Sequence, residues 1–461
     1  MKVDKSKMLN AGKSTILGIQ HMFAMMGATI LVPMLCNLSV SVTLLCAGVG
    51  TIMFHFISKR KVPVFLGSSF AYVPVLIATI GKHVGTTEEF VYKIGSVAWQ
   101  QQMGKVSVGI MMAGLVYLLV ALLVKVIGVK KIKKLFPPIV VGPVIMVIGL
   151  NLAPVVLGGN IQGTYANNPE LMGKTWLIVC LTVITIIAVA LLTKGFFSSI
   201  PVLCGIIVGY ITALACGMVS FSSVSNAPWI IFQNASTEFG FLKYLAWDTE
   251  VVLMFAPLAL VTCMEHIGDI SANSVVCGVD FMKDPGLHRT LTGDGIATFV
   301  AGLLGGPPNT TYGENTAVLA ITKNYNPNNI LLAGIFAVCL GVFSKFGGII
   351  GTIPGAVVGG ASLLLFGMIT ANGLKVLVEE KIDFAKPKNT FIVSIILVVG
   401  IGMSAAKMEL KIGSVAISPL AIVTFLGIIL NQLFVLAEKF VGTGKRDKDD
   451  EEKETFFEIV E

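Results

Sequence analysis

The sequence predicts an all-α polytopic membrane protein, and three observations carry that prediction. Of the 461 residues 55% are hydrophobic and 13% charged, with a mean hydropathy of +0.85. Uncharged stretches of spanning length recur: Lys105 and Lys125 bracket nineteen residues, Lys174 and Lys194 another nineteen, and Lys323 and Lys345 twenty-one. A bilayer-crossing helix needs about 20 apolar residues. The basic residues gather at the ends of these stretches, so the formal charge of +7 reads as topology and not as a nucleic-acid surface.

Taking charges as punctuation gives fourteen segments: 14–36, 39–58, 63–80, 104–128, 136–159, 175–193, 198–219, 249–274, 286–305, 308–322, 328–347, 352–374, 388–406 and 413–440. The first thirteen residues are polar and basic, and the apolar run after them continues into further spans, unlike a cleavable signal peptide. Lys59-Arg60-Lys61, the Lys125–Lys134 cluster, Lys194, Lys283/Arg289, Lys323 and Lys375–Lys388 fall in alternate loops. The positive-inside rule puts those loops and both termini in the cytoplasm. The expectation is a multi-pass protein of the cytoplasmic membrane. The run from Thr443 to Glu454 mixes both charges and is expected to be solvated. Eight cysteines form no CxxC or Cys/His cluster, so neither metal nor disulfide is expected. His55, His83 and His288 lie at span ends and are expected to face water.

Two segments are poor helices. Residues 62–75 carry Pro63, Gly67 and Pro74, and residues 305–316 read Gly-Gly-Pro-Pro-Asn-Thr-Thr-Tyr-Gly-Glu-Asn-Thr. Proline in a helix interior costs about 3 kcal/mol. Unwound backbone at membrane depth is tolerated only where protein or a polar cavity covers it. Such interruptions at matching places in two halves point to a transporter's binding site. These do match. Gln20-His21 corresponds to Glu265-His266 at an offset of 245, and Ser68-Ser69-Phe70 to Thr310-Thr311-Tyr312 at 242. Pro138 with Val141-Gly142 answers to Pro354 with Val358-Gly359 at a shorter offset. Seven segments per half is an odd number, so the two halves form an inverted repeat.

The same regions hold carboxylates. Glu265 follows the uncharged run 251–264, and Glu314 follows the uncharged run 295–313 and precedes eight more uncharged residues. Translocon scales put an acid at the bilayer centre at about 2.5–3.5 kcal/mol, so an intramembrane acid is read as lining a path for ions or substrate. The bland alternative is a helix-end charge facing water. Asp269 lies one helical turn after Glu265, on the same face.

Gln20-His21-Met-Phe-Ala-Met-Met-Gly27-Ala28-Thr, Gly67-Ser-Ser-Phe70-Ala, Glu265-His266-Ile-Gly268, Asp284-Pro-Gly-Leu-His-Arg289 and Asn309-Thr-Thr-Tyr-Gly-Glu314-Asn315 resemble bacterial uracil permeases. These belong to the nucleobase–ascorbate transporter family, also called nucleobase:cation symporter-2. The resemblance runs from about residue 14 to 440. The family signature is an acid or Gln, then Asn, a Gly two further on, and a Thr-Arg/Lys pair. Here it reads Glu314-Asn315-Thr316-Ala317 and ends Thr322-Lys323, with Ala317 in place of the usual Gly.

The resemblance implies a core domain moving against a gate domain in an elevator-like alternating access, with short β-strands in segments 3 and 10. On that scheme 1–13 is a cytosolic N-terminus, 14–128 and 249–347 are the two parts of the core, 129–219 and 352–440 are the two parts of the gate, and 441–461 is a cytosolic tail. It implies proton symport and a homodimer; the residues themselves suggest no cofactor or metal. The substrate-binding residues it implies are Ala28, Phe70, Glu265, Tyr312, Gly313 and Glu314. Proton coupling falls to Glu265, Asp269 and Glu314, and secondary positions to Asp294, His266, Asn315, Ser362 and Phe366. Three of these depart from the uracil-permease pattern: Asp269 stands where the best-known type carries His, Asp294 where some carry Asn, and Phe366 where the gate carries Tyr.

The chemistry of the residues agrees with that substrate. Uracil offers two N–H donors and two carbonyl acceptors around one edge. Carboxylates accept from N–H, while unwound backbone and helix N-termini donate to C=O. Two buried acids close together cannot both ionise cheaply, which makes one a proton carrier. A purine (xanthine-type) proton symporter of the same fold is the alternative; Glu314 disfavours it, because that type places Gln there. A membrane enzyme is disfavoured, since no GxxxxGK[ST], HExxH or GxSxG is present. A sulfate-type carrier would want a cation where this chain offers acids.

Overall fold

The computed structural model describes residues 5–81, 90–129, 131, 137–406, 408, 410–412 and 415–441. Expectations for Lys82, His83, Lys130, Lys133, Lys134, Lys407 and the charged run from Thr443 lie outside them. The chain is mostly helical. Nine helices among the described residues are long and apolar enough to cross a membrane: Ser14–Cys36, Val40–Ile57, Val97–Ile127, Pro138–Ala166, Pro169–Leu192, Thr249–Cys277, Gly355–Glu379, Pro387–Ala405 and Pro419–Glu438. The remaining stretches hold shorter or more polar helices, namely Phe70–Thr79, Pro201–Ala215, Leu287–Leu304, Gly313–Thr322 and Pro327–Val342.

Local chemistry moves several boundaries away from where charges alone put them. The fourth helix starts at Val97 rather than 104, because Ser96 Oγ accepts the Trp99 N–H at 3.2 Å and caps it. Trp99 is buried and its indole N–H donates to Asn37 O at 3.1 Å. The helix from Pro138 does not stop near 159 but winds on through a π-helical stretch, Val155–Gln162. The expected segment 413–440 is helical only from Pro419. Before it, β3 (Leu410–Ile412) pairs antiparallel with β4 (Val415–Ile417). Ile412, Val415 and Ile417 are β-branched and favour strand, and without charge among them their boundary is invisible to charge punctuation. His55 is a correction of another kind. It is buried rather than water-facing, because Asn328 lies against its ring and the chain folds back so that Arg60 N–H reaches His55 O at 2.8 Å.

Small residues let the long helices approach closely, as expected where lipid supplies no hydrophobic drive for association. Gly48 faces Gly334 and Gly142 faces Gly373; an added methyl at Gly48 or Gly142 would meet the partner's carbonyl at 2.5 and 2.8 Å. The Leu287–Leu304 helix packs on Val97–Ile127 and Val40–Ile57, and Pro327–Val342 packs on Val40–Ile57 and on the first helix. Separately, Gly355–Glu379 packs on Pro138–Pro154 and Met172–Leu192, and Pro387–Ala405 on Pro138–Pro154 and Pro419–Val441.

Candidate functional site

The two interrupted segments meet. β1 (Leu66–Ser68) pairs antiparallel with β2 (Asn309–Thr311), in the register Leu66↔Thr311, Gly67↔Thr310 and Ser68↔Asn309. Further bonds extend the ladder: Ser69 N–H to Pro308 O at 2.9 Å and Tyr312 N–H to Phe65 O at 3.3 Å. A two-stranded sheet has free edges, and an unpaired backbone group away from water is costly. Thr51 Oγ1 covers one edge, accepting Leu66 N–H at 2.9 Å. Asn309 Nδ2 donates to Cys46 O at 3.1 Å, and Thr298 donates to Asn309 O at 2.9 Å. Tyr312 crosses back over the sheet and donates to Ser68 O at 2.9 Å. Its ring fills the place of a side chain at residue 67, where a Cβ would stand 2.4 Å from Cζ. Only Gly fits.

The acids gather at the end of this sheet. Glu265 and Asp269 are half-buried, one turn apart on the Leu258–Cys277 helix, with the exposed Gly268 between them. Glu314 is exposed in the first turn of the Gly313–Thr322 helix, whose N-terminus has no side-chain cap. Thr311 Oγ1 donates to Asp269 Oδ2 at 2.9 Å, and Asp269 Oδ1 lies 3.3 Å from where a Cβ on Gly313 would be. Glu265, Asp269 and Glu314 interact electrostatically with one another. Three carboxylates thus share a gap with an uncapped helix start, whose N–H groups attract acceptors.

The other expected residues sort themselves by contact. Ala28 is buried beside Thr29, whose carbonyl accepts from Ser68 Oγ at 3.4 Å, so it backs β1. Phe70 meets Phe366 edge-on, with ring centroids 5.8 Å apart. Ser362, one turn before Phe366, is fully buried, and its hydroxyl has no hydrogen-bond partner among the described residues. Asn315 turns away from the gap; its Nδ2 donates to Pro63 O at 2.8 Å and its side chain reaches His21. His266 and Asp294 pair with each other, Nδ1 to Oδ2 at 3.0 Å, both fully buried, with Tyr117 against Asp294. That pair forms a second polar centre behind Glu265.

Sequence reasoning gave no site role to Thr311, Thr51 or Asn273. Asn273 donates to Pro63 O at 3.2 Å and continues the polar stripe Glu265, Asp269, Asn273 at four-residue spacing, a signal that periodicity alone would have found. Thr51 lies within an apolar run and has no such signal.

Comparison with known proteins agrees in both sequence and fold. The model of the Permease family matches residues 12–409. The chain is 42% identical to the uracil permease of Bacillus caldolyticus over 425 residues, covering 91% of each protein. It is 41% identical to the uracil permease of Bacillus subtilis, covering 91% of this chain and 92% of that one, and 36% identical to that of Escherichia coli K12, covering 91% of each. Among solved structures, the transmembrane domain of the cyanobacterial bicarbonate transporter BicA superposes with a TM-score of 0.58 at 16% identity, over 86% of this chain and 96% of that one. The murine solute carrier 26 family member A9 anion transporter, in its inward-facing state, gives 0.62 at 10% identity, over 92% and 68%. Such low identities speak to fold alone.

Proposed function

The chain belongs to the permease family that holds the bacterial uracil permeases, an integral membrane transporter and not an enzyme, and on that premise we propose that it carries uracil into the cell together with a proton. The observation that carries this reading is the convergence of Glu265, Asp269 and Glu314 on one accessible gap at the crossing of two broken segments. A ring with alternating N–H and C=O groups fits a site of carboxylate acceptors and uncapped backbone donors. Glu265 and Glu314 accept the ring N–H groups, the N–H groups near Phe70 and Gly313 meet the carbonyls, and Ala28, Phe70 and Tyr312 form the faces. His266, Asp294, Asn315, Ser362 and Phe366 support this arrangement from outside the gap.

Fourteen membrane segments in a 7+7 inverted repeat are the architecture we propose, with both termini in the cytoplasm and a homodimer as the assembly. The core comprises 14–128 and 249–347; the gate comprises 129–219 and 352–440. The two packing groups of the fold support this division. Gln20 donates to Ser199 at 3.2 Å, and Phe70 meets Phe366, both across the boundary. The core slides against the gate along it, with the tail 441–461 and residues 1–13 outside the membrane.

Radiolabelled uracil accumulation in cells expressing the protein, competed by a panel of unlabelled nucleobases, tests the substrate. Uracil is expected to accumulate unchanged and to be displaced by unlabelled uracil and not by xanthine. Displacement by xanthine with no uracil accumulation would replace the reading with the purine one.

A further inference from the structure

We propose that Thr311 is a positioning residue for the proton carrier: its hydroxyl occupies Asp269 Oδ2 and leaves Oδ1, the oxygen facing Gly313, as the atom that takes up and releases the proton. This rests on the proton-coupled reading above.

Threonine hydroxyls donate to whichever acceptor the local backbone places in reach. In helices they donate a hydrogen bond to the carbonyl four residues back, as Thr29 does to Met25 O, Thr182 to Ile178 O and Thr322 to Val318 O. Thr311 sits in β2, where no such carbonyl exists, and strand alternation sends it to the opposite face from Thr310. Thr311 is buried, at 1% exposure, and donates to Asp269 Oδ2 at 2.9 Å. The Thr310 hydroxyl, also buried, has no hydrogen-bond partner among the described residues. The two faces of β2 are therefore unlike, and the one facing the Leu258–Cys277 helix holds the acid.

The surroundings of Asp269 make this bond consequential. The charged groups that act on it are Glu265 on its own helix, Glu314 on the Gly313–Thr322 helix and Asp294 on the Leu287–Leu304 helix. All are acids, and the nearby imidazole of His266 is turned to Asp294 at 3.0 Å. Among the described residues, Thr311 is the donor that the carboxylate receives. A carboxyl with one oxygen held has one oxygen left to exchange a proton, and here that oxygen is 3.3 Å from the Cβ position of Gly313, next to Glu314. The proton adds at Oδ1 on the outer side and leaves from it on the inner side, with no other bond changed. Thr311 thereby ties β2, the moving crossing, to the protonation of the neighbouring helix.

Initial rates of uracil uptake into proteoliposomes, measured against external pH, test this with T311V, T311S, T311A, D269N and the double variant T311V/D269N. Valine keeps the shape of threonine and loses the donor. T311V is expected to move the midpoint of the pH profile toward higher pH by about one to two units. T311S should retain the wild-type midpoint, and T311A should reproduce the T311V shift if valine hinders insertion. In a D269N background, which transports poorly and is therefore read by the pH dependence of uracil binding, T311V should cause no shift. A T311V profile that superposes on a titrating wild-type profile overturns the inference, as does a T311V shift that persists without Asp269. A wild-type profile that is flat with pH overturns the proton-coupled reading and this inference with it.

Discussion

The two broken segments share one backbone plan and differ in what they carry. The first runs from β1 through the turn Phe70–Tyr72 into the Val73–Thr79 helix; it has no charged residue, and residues 62–73 are buried. The second runs from β2 into the Gly313–Thr322 helix, where Gly313 and Glu314 are not covered by other residues of the chain. The first arm is held through its backbone by Thr51, Asn273, Asn315 and Tyr312. On the proposed reading the second is the acid-bearing arm, its Glu314 acting with Glu265 and Asp269 of the Leu258–Cys277 helix. The two arms thus share a backbone plan and differ in charge and exposure.

The largest effect should come from the acids at the crossing. On the proposed reading, Glu265→Gln or Glu314→Gln replaces a charged acceptor of a ring N–H by an amide that also presents a donor. Hydrogen bonds to charged groups are worth about 1.5–3 kcal/mol, so uracil affinity of the purified protein should fall about 10- to 100-fold, with its thermal stability nearly unchanged. Asp269→Asn should bind uracil almost normally yet transport it poorly. Equal loss of binding in all three variants would erase the division of labour between ligand acids and proton acid.

Gly67→Ala sharpens the other side of the comparison. The added methyl collides with the Tyr312 ring, and overpacking costs about 1–3 kcal/mol. The first arm should therefore lose stability together with transport, seen as a lower melting temperature in detergent. Transport lost with unchanged melting would mean that the methyl acts through the substrate contacts near Phe70 and not through stability. Tyr312→Phe is a milder probe: it removes the bond to Ser68 O and should cost about 0.5–1.5 kcal/mol of stability.

How much of this is readable from sequence depends on the kind of signal. Pro63, Gly67, Pro307 and Pro308 announce both interruptions, because each removes a donor or a side chain that a helix needs. Glu265 and Glu314 stand out against uncharged runs. The bond from Thr311 to Asp269 is not legible, since a contact between a strand and a helix 42 residues apart leaves no periodicity. The same holds for His266 with Asp294, which the sequence offers only as two separate secondary positions. The π-helical stretch and β4 are hidden for a different reason: both lie in uncharged sequence, Val155–Gln162 and Val415–Ile417, where charge punctuation marks no change of backbone.

The smallest effect lies far from either arm. Lys105 pairs with Asp248 at 3.0 Å, where the ammonium beside it holds the Asp248 carboxyl below its ordinary range. A depressed folded-state value stabilises the fold above the ordinary carboxylate range, and the gain is lost as pH falls through the depressed value. Lys105→Met should therefore cost about 0.2–1 kcal/mol near neutral pH and nothing in strong acid, read from melting temperatures across pH. A cost independent of pH would mean that the lysine stem packs rather than pairs.

The central claim is that the acids at the crossing couple uracil to a proton. Purified protein in sodium-free proteoliposomes, given an imposed gradient with the outside acidic, tests it most directly. The account predicts that labelled uracil accumulates above its external concentration, that a protonophore collapses the accumulation, and that Glu314→Gln abolishes it. Full accumulation under a sodium gradient with no pH difference, or normal proton-driven accumulation by the Glu314→Gln protein, would contradict it.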